Sequence, residues 1–241
     1  MIKKLLFLAL SVLLLENLLL QADDLQEAEE NYRQGHFATA LGQYEQLLQL
    51  YPNDPNLYYN IGNCYFKMGS KGLATANYYR AFKLDPRDAD IRHNLSLSLQ
   101  TSGERLIPSG MPEVLHKAFF GLTQSELQGL LYLSFWLVCL FGAVWLFKRR
   151  FGRFTLLLLI LFAGLTGWYW WRQPLDNASL AVVAVPVAEL RSGPGENFPA
   201  SANIAQGHLL ILEDSKDHWQ QVIVKSQGIK GWMQDNSLEK I

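Results

Sequence analysis

Hydrophobic positions along the chain follow three different patterns. Continuous apolar runs occupy Leu5–Leu20, Leu127–Phe147 and Phe154–Trp171. Between the first and second runs the apolar residues recur at a helical period, and after the third they follow the shorter period of strands. Because continuous runs of this kind are typical of membrane segments, the pattern predicts membrane segments joined to two aqueous modules, one helical and one made of strands.

The first apolar run has the features of a secretory signal. Lys3 and Lys4 precede the apolar stretch Leu5–Leu15, which is shorter than the roughly 20 residues that a spanning helix needs. Residues 1–22 are therefore predicted to be a signal peptide or an uncleaved N-terminal anchor. Either alternative places the helical module that follows outside the cytoplasm.

The helical module contains an internal repeat. At an offset of 34 residues, six pairs align: Gly35 with Gly69, Ala40 with Ala74, Tyr44 with Tyr78, Leu50 with Leu84, Pro52 with Pro86, and Asp54 with Asp88. This period and these positions are the signature of the tetratricopeptide repeat (TPR). We predict a module over residues 23–100, with repeats at 21–54 and 55–88 and a capping helix at 89–100.

Small residues in the second repeat have a physical role. Gly62 and Ala74 stand where the two helices of a repeat cross closely, and Gly69 follows the first helix, where a left-handed backbone is favoured. About three repeats are usually needed for a stable array. Two repeats and a cap are therefore expected to depend on the membrane or on partner subunits.

Helix pairs of this kind line a concave face that holds peptides or partner domains. The residues predicted to project there are Tyr32, Arg33, Tyr59, Asn63, Phe66 and Lys67. Polar residues on exposed helices are common. Two interpretations therefore stay open: a ligand groove, or a helix face that is merely solvated.

The second and third apolar runs predict a transmembrane hairpin with helices at 127–147 and 154–171. Thr123 and Glu126 match a capping box before the first helix. Between the helices, residues 148–153 carry four positive charges, Lys148, Arg149, Arg150 and Arg153. Loops this basic stay in the cytoplasm, so both flanking modules are predicted to face the opposite side.

Two connecting segments precede the hairpin. Residues 101–111 contain two glycines and a proline and are predicted to be a linker. Residues 112–122 place their apolar side chains on one face. This pattern fits an interfacial helix on the outer leaflet or a helix packed under the repeat module.

Residues 181–241 change to a strand pattern. Val183, Val185 and Val187 alternate with smaller residues, and short apolar runs are separated by turn signals such as Gln206-Gly207. The order of Leu190 to Gly195, Phe198-Pro199, Gly207, Trp219 and Gly231-Trp232 resembles a bacterial SH3-type (SH3b) domain. Two interpretations stay open for Trp219 and Trp232: they close the core of a small barrel, or they line a binding groove.

The predicted fold class is thus a multidomain membrane protein with an all-α TPR array, a two-helix transmembrane hairpin and an all-β SH3b-like small barrel. The 21 basic and 22 acidic residues nearly balance, so charge does not point to nucleic acid. No nucleophile elbow, phosphate loop, metal-ligand spacing or dinucleotide fingerprint is present. We predict no catalytic residues, no metal, no cofactor and no enzyme activity.

The order of signal, TPR repeats, membrane hairpin and SH3b domain resembles the BatE-type proteins of the Bat aerotolerance operons, as does the segment from Asp85 to Leu95. The resemblance implies a multi-pass protein of the bacterial inner membrane with periplasmic TPR and SH3b modules. It also implies partners among von Willebrand factor A-domain membrane proteins and a MoxR-type AAA+ ATPase, in oxidative-stress tolerance. The expected role is a non-enzymatic adaptor; the alternative is an anchor that binds peptidoglycan through the SH3b domain.

Overall fold

The structure, a computed structural model, describes residues 24–107, 110–176 and 178–241. The predicted signal or anchor, residues 1–22, lies outside the described residues. The chain divides into two compact units: one combines the chain up to Leu106 with Ala181–Ile241, and the other is Ile107–Leu180. The helical repeats and the C-terminal strands therefore belong to the same unit, although the hairpin separates them in sequence.

Five helices form the first part of this unit. They are α1 (24–33), α2 (Phe37–Leu50), α3 (Pro55–Lys67), α4 (Lys71–Leu84) and α5 (Ala89–Thr101). Asp54 caps α3 by accepting a hydrogen bond from Asn56 N at 2.8 Å, and Asp88 caps α5 in the same way. Gly69 adopts the left-handed backbone (φ +84°) between α3 and α4, which is the role that the repeat pattern predicts for it.

The helices cross closely where small residues were predicted. A Cβ atom on Gly62 would lie 2.7 Å from the Tyr78 ring, and Ala74 is completely buried. In α1 to α3 the buried cluster comprises Ala28, Ala40, Tyr44, Leu47, Leu57, Ile61 and Cys64. The apolar residues of the repeat pattern therefore form the packed seam between successive helices.

The C-terminal strands form one seven-stranded sheet. Its strands are β1 (Leu180–Val183), β2 (Val187–Arg191), β3 (Ala200–Ala205), β4 (Leu209–Lys216), β5 (Trp219–Val224), β6 (Ile229–Gln234) and β7 (Leu238–Lys240). They lie in the order β3-β2-β6-β5-β4-β1-β7, and the pairs β2–β3, β4–β5, β5–β6 and β1–β7 are antiparallel. The sheet is not closed, so the SH3b-like barrel stays a prediction.

One strand pattern differs from the prediction. Val183, Val185 and Val187 alternate with smaller residues in the sequence, but β1 ends at Val183 and β2 begins at Val187, so the three valines do not share one strand. Val187 is exposed, whereas all four residues of β1 are buried. The reason is that β1 is covered on both faces, which requires a continuous apolar run instead of an alternating one.

Strand β1 lies between the sheet core and the repeat helices. Ala181 and Val183 belong to the buried core of the sheet. Val182, together with Leu209 of β4, packs in a different cluster with Leu95 and Leu99 of α5 and with residues of α4. The alternating side chains of one strand therefore join the core of the sheet to the core of the repeat array.

Polar contacts reinforce this packing. The Arg80 guanidinium donates to the Glu239 carboxylate and to the carbonyl of Lys240. Ser102 Oγ donates to the Gly207 carbonyl at 3.0 Å. The buried Glu104 carboxylate accepts a hydrogen bond from Ser226 N, also at 3.0 Å. Because these bonds reach three different parts of the sheet, they fix its orientation on α4 and α5.

The second unit contains α6 (Glu113–Phe120), α7 (Gln124–Phe147), a 3₁₀ turn (Arg149–Phe151) and α8 (Gly152–Asp176). The predicted capping box is confirmed: Thr123 Oγ1 accepts from Glu126 N at 3.2 Å, and Glu126 Oε2 accepts from Thr123 N at 2.9 Å. The helical stretches Gln124–Phe147 and Arg149–Leu175 each contain a window of 18 predominantly apolar residues. Both are long and apolar enough to cross a membrane.

Polar contacts join the helices of this unit. Thr155 Oγ1 of α8 donates to the Phe141 carbonyl of α7 at 3.2 Å, and Gln128 Nε2 donates to the Tyr169 hydroxyl at 2.9 Å. The buried Arg172 donates to the Leu122 carbonyl at 2.6 Å and stacks over the Phe120 ring. A cation is favourable beside the carbonyl end of a helix, so Arg172 holds α6 against the end of α8.

Candidate functional site

The repeat helices enclose a cavity of about 290 Å³. Five of the six residues predicted for the concave face line it: Tyr32, Tyr59, Asn63, Phe66 and Lys67. The remaining lining comes from Tyr78 of α4 and from Asn94, Leu97 and Ser98 of α5. The cavity therefore has walls from both repeats and from the capping helix.

A hydrogen-bond network fixes the polar floor of this cavity. Asn63 Oδ1 accepts from the Tyr78 hydroxyl at 2.8 Å and from Asn94 Nδ2 at 3.2 Å. Asn94 Nδ2 also donates to the Tyr59 hydroxyl at 3.0 Å. Both bonds to Asn63 use its oxygen, so its amide N–H groups are the part that can donate to a ligand, while Asn94 Oδ1 can accept.

The cavity lining includes two exposed apolar side chains and one positive charge. Phe66 and Leu97 both line the cavity and remain 41% and 47% exposed. Lys67 is the charged residue of the lining and lies one helical turn after Asn63. An extended peptide suits this arrangement, because its backbone amides match Asn63 and Asn94 while its apolar side chains can cover the rim.

Burial raises the pKa of two tyrosines of this site, Tyr78 and Tyr32. It raises the pKa of Tyr78 above its ordinary value, and the neighbouring Tyr59 adds to the effect. Burial likewise raises the pKa of Tyr32. Both side chains are therefore neutral hydroxyl donors at physiological pH.

Arg33 is the predicted concave-face residue that does not line the cavity. Its side chain is exposed and lies within ion-pair distance of Glu29 and Glu30 on its own helix. The neighbouring Tyr32 lines the cavity, whereas the Arg33 side chain lies further round α1, beside these two carboxylates. The contributions of Asn94 and Ser98 were not predicted. Their spacing of one helical turn, beside the buried Leu95 and Leu99, is the signal that could have found them.

The two tryptophans predicted for an SH3b groove lie on one face of the sheet. Cross-strand pairs of Trp219 with Gln234 and of Trp232 with Gln221 place both indoles on the same side. Each is half-buried, and neither belongs to the sheet core. Trp219 lines a cavity of about 420 Å³ with Glu196, His218, Gln234, Asp235 and Asn236, whereas Trp232 does not.

The four basic residues predicted to set the membrane topology lie around the turn between α7 and α8. Lys148, Arg149, Arg150 and Arg153 are all exposed. The Arg150 guanidinium lies over the Phe151 ring, with its carbon 5.2 Å from the ring centre. Across the described ranges 24–107, 110–176 and 178–241, no group of three His, Cys, Asp or Glu side chains could hold a metal ion.

Comparison with known families decides the nature of the helical module. Residues 23–69 match a family described as TPR repeat, and residues 55–88 match the tetratricopeptide repeat itself. Residues 23–88 carry TPR repeats. The TPR prediction is confirmed, and repeats of this kind support a role in protein–protein interaction.

Individual relatives match short parts of the chain. Over 67 residues it is 34% identical to the protein arginine N-methyltransferase 9 of Mus musculus, an overlap of 28% of this chain and 8% of that protein. The chain thus spans less than a tenth of the length of that relative. The overlap is a partial TPR match.

Two solved structures of the Yersinia enterocolitica type III secretion translocator chaperone SycD overlap with this chain at 17% identity. They cover 61% and 60% of this chain and 91% and 81% of their own, both with a TM-score of 0.33. A score of this size does not identify a partner for the TPR cavity.

Proposed function

We propose that this protein is a membrane-anchored adaptor whose TPR cavity holds an extended segment of a protein partner. The observation that carries the proposal is the joint lining of one cavity by Tyr32, Tyr59, Asn63, Phe66 and Lys67. A fixed amide network beside an exposed apolar rim is the arrangement expected for peptide recognition. TPR proteins generally act as scaffolds rather than as enzymes, which agrees with a non-enzymatic role.

In this proposal α7 and α8 cross the membrane as a hairpin. Many of their large apolar side chains are exposed in the isolated chain, among them Leu133, Trp136, Leu140, Leu157 and Ile160. Contact with lipid is favourable for such an apolar surface, whereas contact with water is unfavourable. The exposed basic residues of 148–153 support a cytoplasmic turn, with both chain ends of the hairpin on the other side of the membrane.

The resemblance to BatE-type proteins extends the proposal to a cellular setting. The adaptor would act in the bacterial inner membrane with periplasm-facing TPR and SH3b-like modules, within a Bat-type envelope complex. Its protein partners would then include von Willebrand factor A-domain membrane proteins and a MoxR-type AAA+ ATPase. The expected physiology is tolerance to oxidative stress or air.

Site-specific photocrosslinking in intact cells tests the adaptor proposal. A photoreactive phenylalanine analogue at Phe66 lies on the rim of the cavity, and the same analogue at Tyr58 lies on α3 outside the lining. We expect a defined crosslinked partner from position 66 and its loss when Asn63→Ala and Lys67→Ala are combined with it. Asn56→Ala with Lys83→Ala, on exposed parts of α3 and α4, is the matched control.

Two outcomes would contradict the adaptor proposal. The first is equal crosslinking from positions 66 and 58, since the cavity would then have no special role. The second is undiminished crosslinking at position 66 after Asn63 and Lys67 are changed. The membrane arrangement has a separate test: a cysteine at position 150 should resist an impermeant thiol reagent applied from the periplasm, and rapid labelling there would refute the topology.

A second candidate function is binding to peptidoglycan through the C-terminal sheet. The cavity beside Trp219 favours it, because an aromatic face flanked by the polar groups of Glu196, Gln234 and Asn236 can hold both sugar rings and their hydroxyl groups. Co-sedimentation of the detergent-solubilised protein with purified sacculi tests this function. We expect Trp219→Ala to reduce sedimentation and Trp232→Ala, outside the cavity, to leave it unchanged.

The two tryptophan variants separate the outcomes. Equal loss from both would indicate disturbance of the sheet rather than loss of a binding site. Failure of the unaltered protein to sediment would remove the peptidoglycan function and leave the adaptor proposal untouched.

A further inference from the structure

The TPR array is short, and one of its surfaces is completed by the C-terminal sheet. In α4 the residues from Ala74 to Tyr78 are all buried, so this helix is covered on every side. One side is covered by α3 and another by α5, while Val182 and Leu209 join the cluster that contains Ala74, Ala76 and Tyr78. The sheet therefore supplies apolar packing that a further repeat supplies in longer arrays.

Helix α5 lies between the TPR cavity and this packing. Its residues Asn94, Leu97 and Ser98 line the cavity, whereas Leu95 and Leu99 pack in the cluster with Val182 and Leu209. The buried Ser98 hydroxyl is also hydrogen-bonded to Thr75 of α4. Any displacement of α5 from the sheet would therefore change the cavity wall as well.

The connection after α5 fixes the helix at its C-terminal end. Ser102 Oγ donates to the Gly207 carbonyl, and the Glu104 carboxylate accepts from Ser226 N. Arg80, near the end of α4, binds Glu239 and the Lys240 carbonyl. A terminal helix of a two-repeat array has few neighbours of its own, so these contacts carry much of its stability.

We propose that docking of the C-terminal sheet holds α5 in the position where it forms one wall of the TPR cavity. The sheet is then a positioning element for partner binding. It acts by holding α5 in place through the β1 and β4 side chains and the polar contacts of Arg80 and Ser102. The two aqueous parts of the chain are then one binding unit, and a partner in the cavity would in turn stabilise the docked sheet. The link to partner binding rests on the adaptor function proposed above; the link to the stability of α5 does not.

Hydrogen exchange measured by mass spectrometry on the full chain in lipid nanodiscs tests the proposal. The double variant Arg80→Ala with Ser102→Ala removes polar contacts at the interface and keeps the apolar packing. Lys230→Ala is the matched control, because it removes an ion pair with Glu213 inside the sheet and does not touch the helices. We expect amides of α5 to exchange about tenfold faster or more in the double variant, with α2 and α3 as in the control.

Two results would overturn the proposal. One is exchange in α5 equal to that of Lys230→Ala, which would mean that the sheet does not hold this helix. The other is equal acceleration from α1 to α5, which would mean that the sheet supports the whole array rather than one wall. Loss of the crosslink at position 66 in the double variant is the functional readout. If the unaltered protein captures no partner, the adaptor function fails while the exchange result still decides the role of the sheet.

Discussion

Gly72 lies directly against the backbone of Val183. A Cβ atom on Gly72 would stand 2.1 Å from the Val183 carbonyl oxygen and 3.0 Å from the Cα of Ala184. Real Cβ atoms do not approach backbone atoms this closely, and the obstacle cannot turn away as a flexible side chain can. Helix α4 and strand β1 therefore meet at a contact that only glycine permits.

The close contact predicts a large effect from a single methyl group. Gly72→Ala should destabilise the unit by about 1–3 kcal/mol, because α4 and β1 must move apart and lose packing. Gly42→Ala is the control: it is helical and has no atom within 4 Å of the added Cβ, so it should be neutral or stabilise by up to about 1 kcal/mol. Chemical denaturation of both variants measures the difference, and equal stability would contradict the docked arrangement.

Removing one hydroxyl group tests the polar floor of the TPR cavity. Tyr78→Phe keeps the ring that packs on Gly62 but removes the donor to Asn63 Oδ1. We expect a loss of about 0.5–1.5 kcal/mol in the free energy of unfolding, together with weaker crosslinking from position 66. Tyr58→Phe, whose hydroxyl makes no hydrogen bond to another described residue, should change neither quantity. An unaltered crosslink in Tyr78→Phe would show that the network does not prepare the cavity.

The thiol of Cys64 predicts a specific loss of stability at alkaline pH. Burial, with a smaller contribution from Glu45, raises the pKa of this thiol from 9.0 to about 11. The folded state therefore keeps the proton that the unfolded state releases above pH 9. The resulting stabilisation is complete below pH 9 and is lost as the pH rises towards 11, at up to about 1.4 kcal/mol per pH unit.

Comparison with Cys64→Ala isolates this contribution. Unfolding free energies measured from pH 8 to 11 should fall less steeply in the variant than in the unaltered chain. The tyrosines whose pKa is raised by burial, Tyr44 and Tyr78 among them, are present in both proteins. Parallel curves for the two proteins would show that the thiol is not protected from ionisation.

The contact of Arg172 with α6 predicts a local effect in the second unit. Arg172→Ala removes the hydrogen bonds to the Phe119 and Leu122 carbonyls and the stacking on Phe120. Amides of α6 should then exchange about tenfold faster, since an eight-residue helix is marginal without tertiary contacts. Arg149→Ala, an exposed residue of the turn, is the control. No change in α6 would mean that its aromatic contacts alone suffice.

The repeat pattern predicted the helical module, because its small residues stand where the local backbone or a close helix crossing requires them. Gly69 needs a left-handed backbone, and Gly62 must be small where the Tyr78 ring crosses it. Five of the six residues predicted for the concave face from the geometry of TPR helices line one cavity. The domain boundaries outside the repeats and the roles of the binding residues stay predictions.

The packing of the sheet on the helices was not predicted, because it joins residues that are far apart in the sequence. The local signal was present in Ala181-Val182-Val183, whose continuous apolar character indicates a strand covered on both faces. The sequence of a strand does not reveal which other part of the chain packs on its second face. For the same reason the sequence left open whether Trp219 and Trp232 lie in the core, whereas the strand register places both on the opposite face.

The position of β1 in the chain has a consequence for biosynthesis. Leu95 and Leu99 are made before the hairpin, but Val182 and Leu209, which cover them, are made after it. When synthesis has reached α7, the nascent chain therefore carries a repeat array in which the Leu95 and Leu99 side of α5 is still uncovered. Chaperones can bind this surface, and it can also associate prematurely with other chains. Only when α8 and the strands that contain Val182 and Leu209 have been made can the chain cover these two leucines with its own sheet.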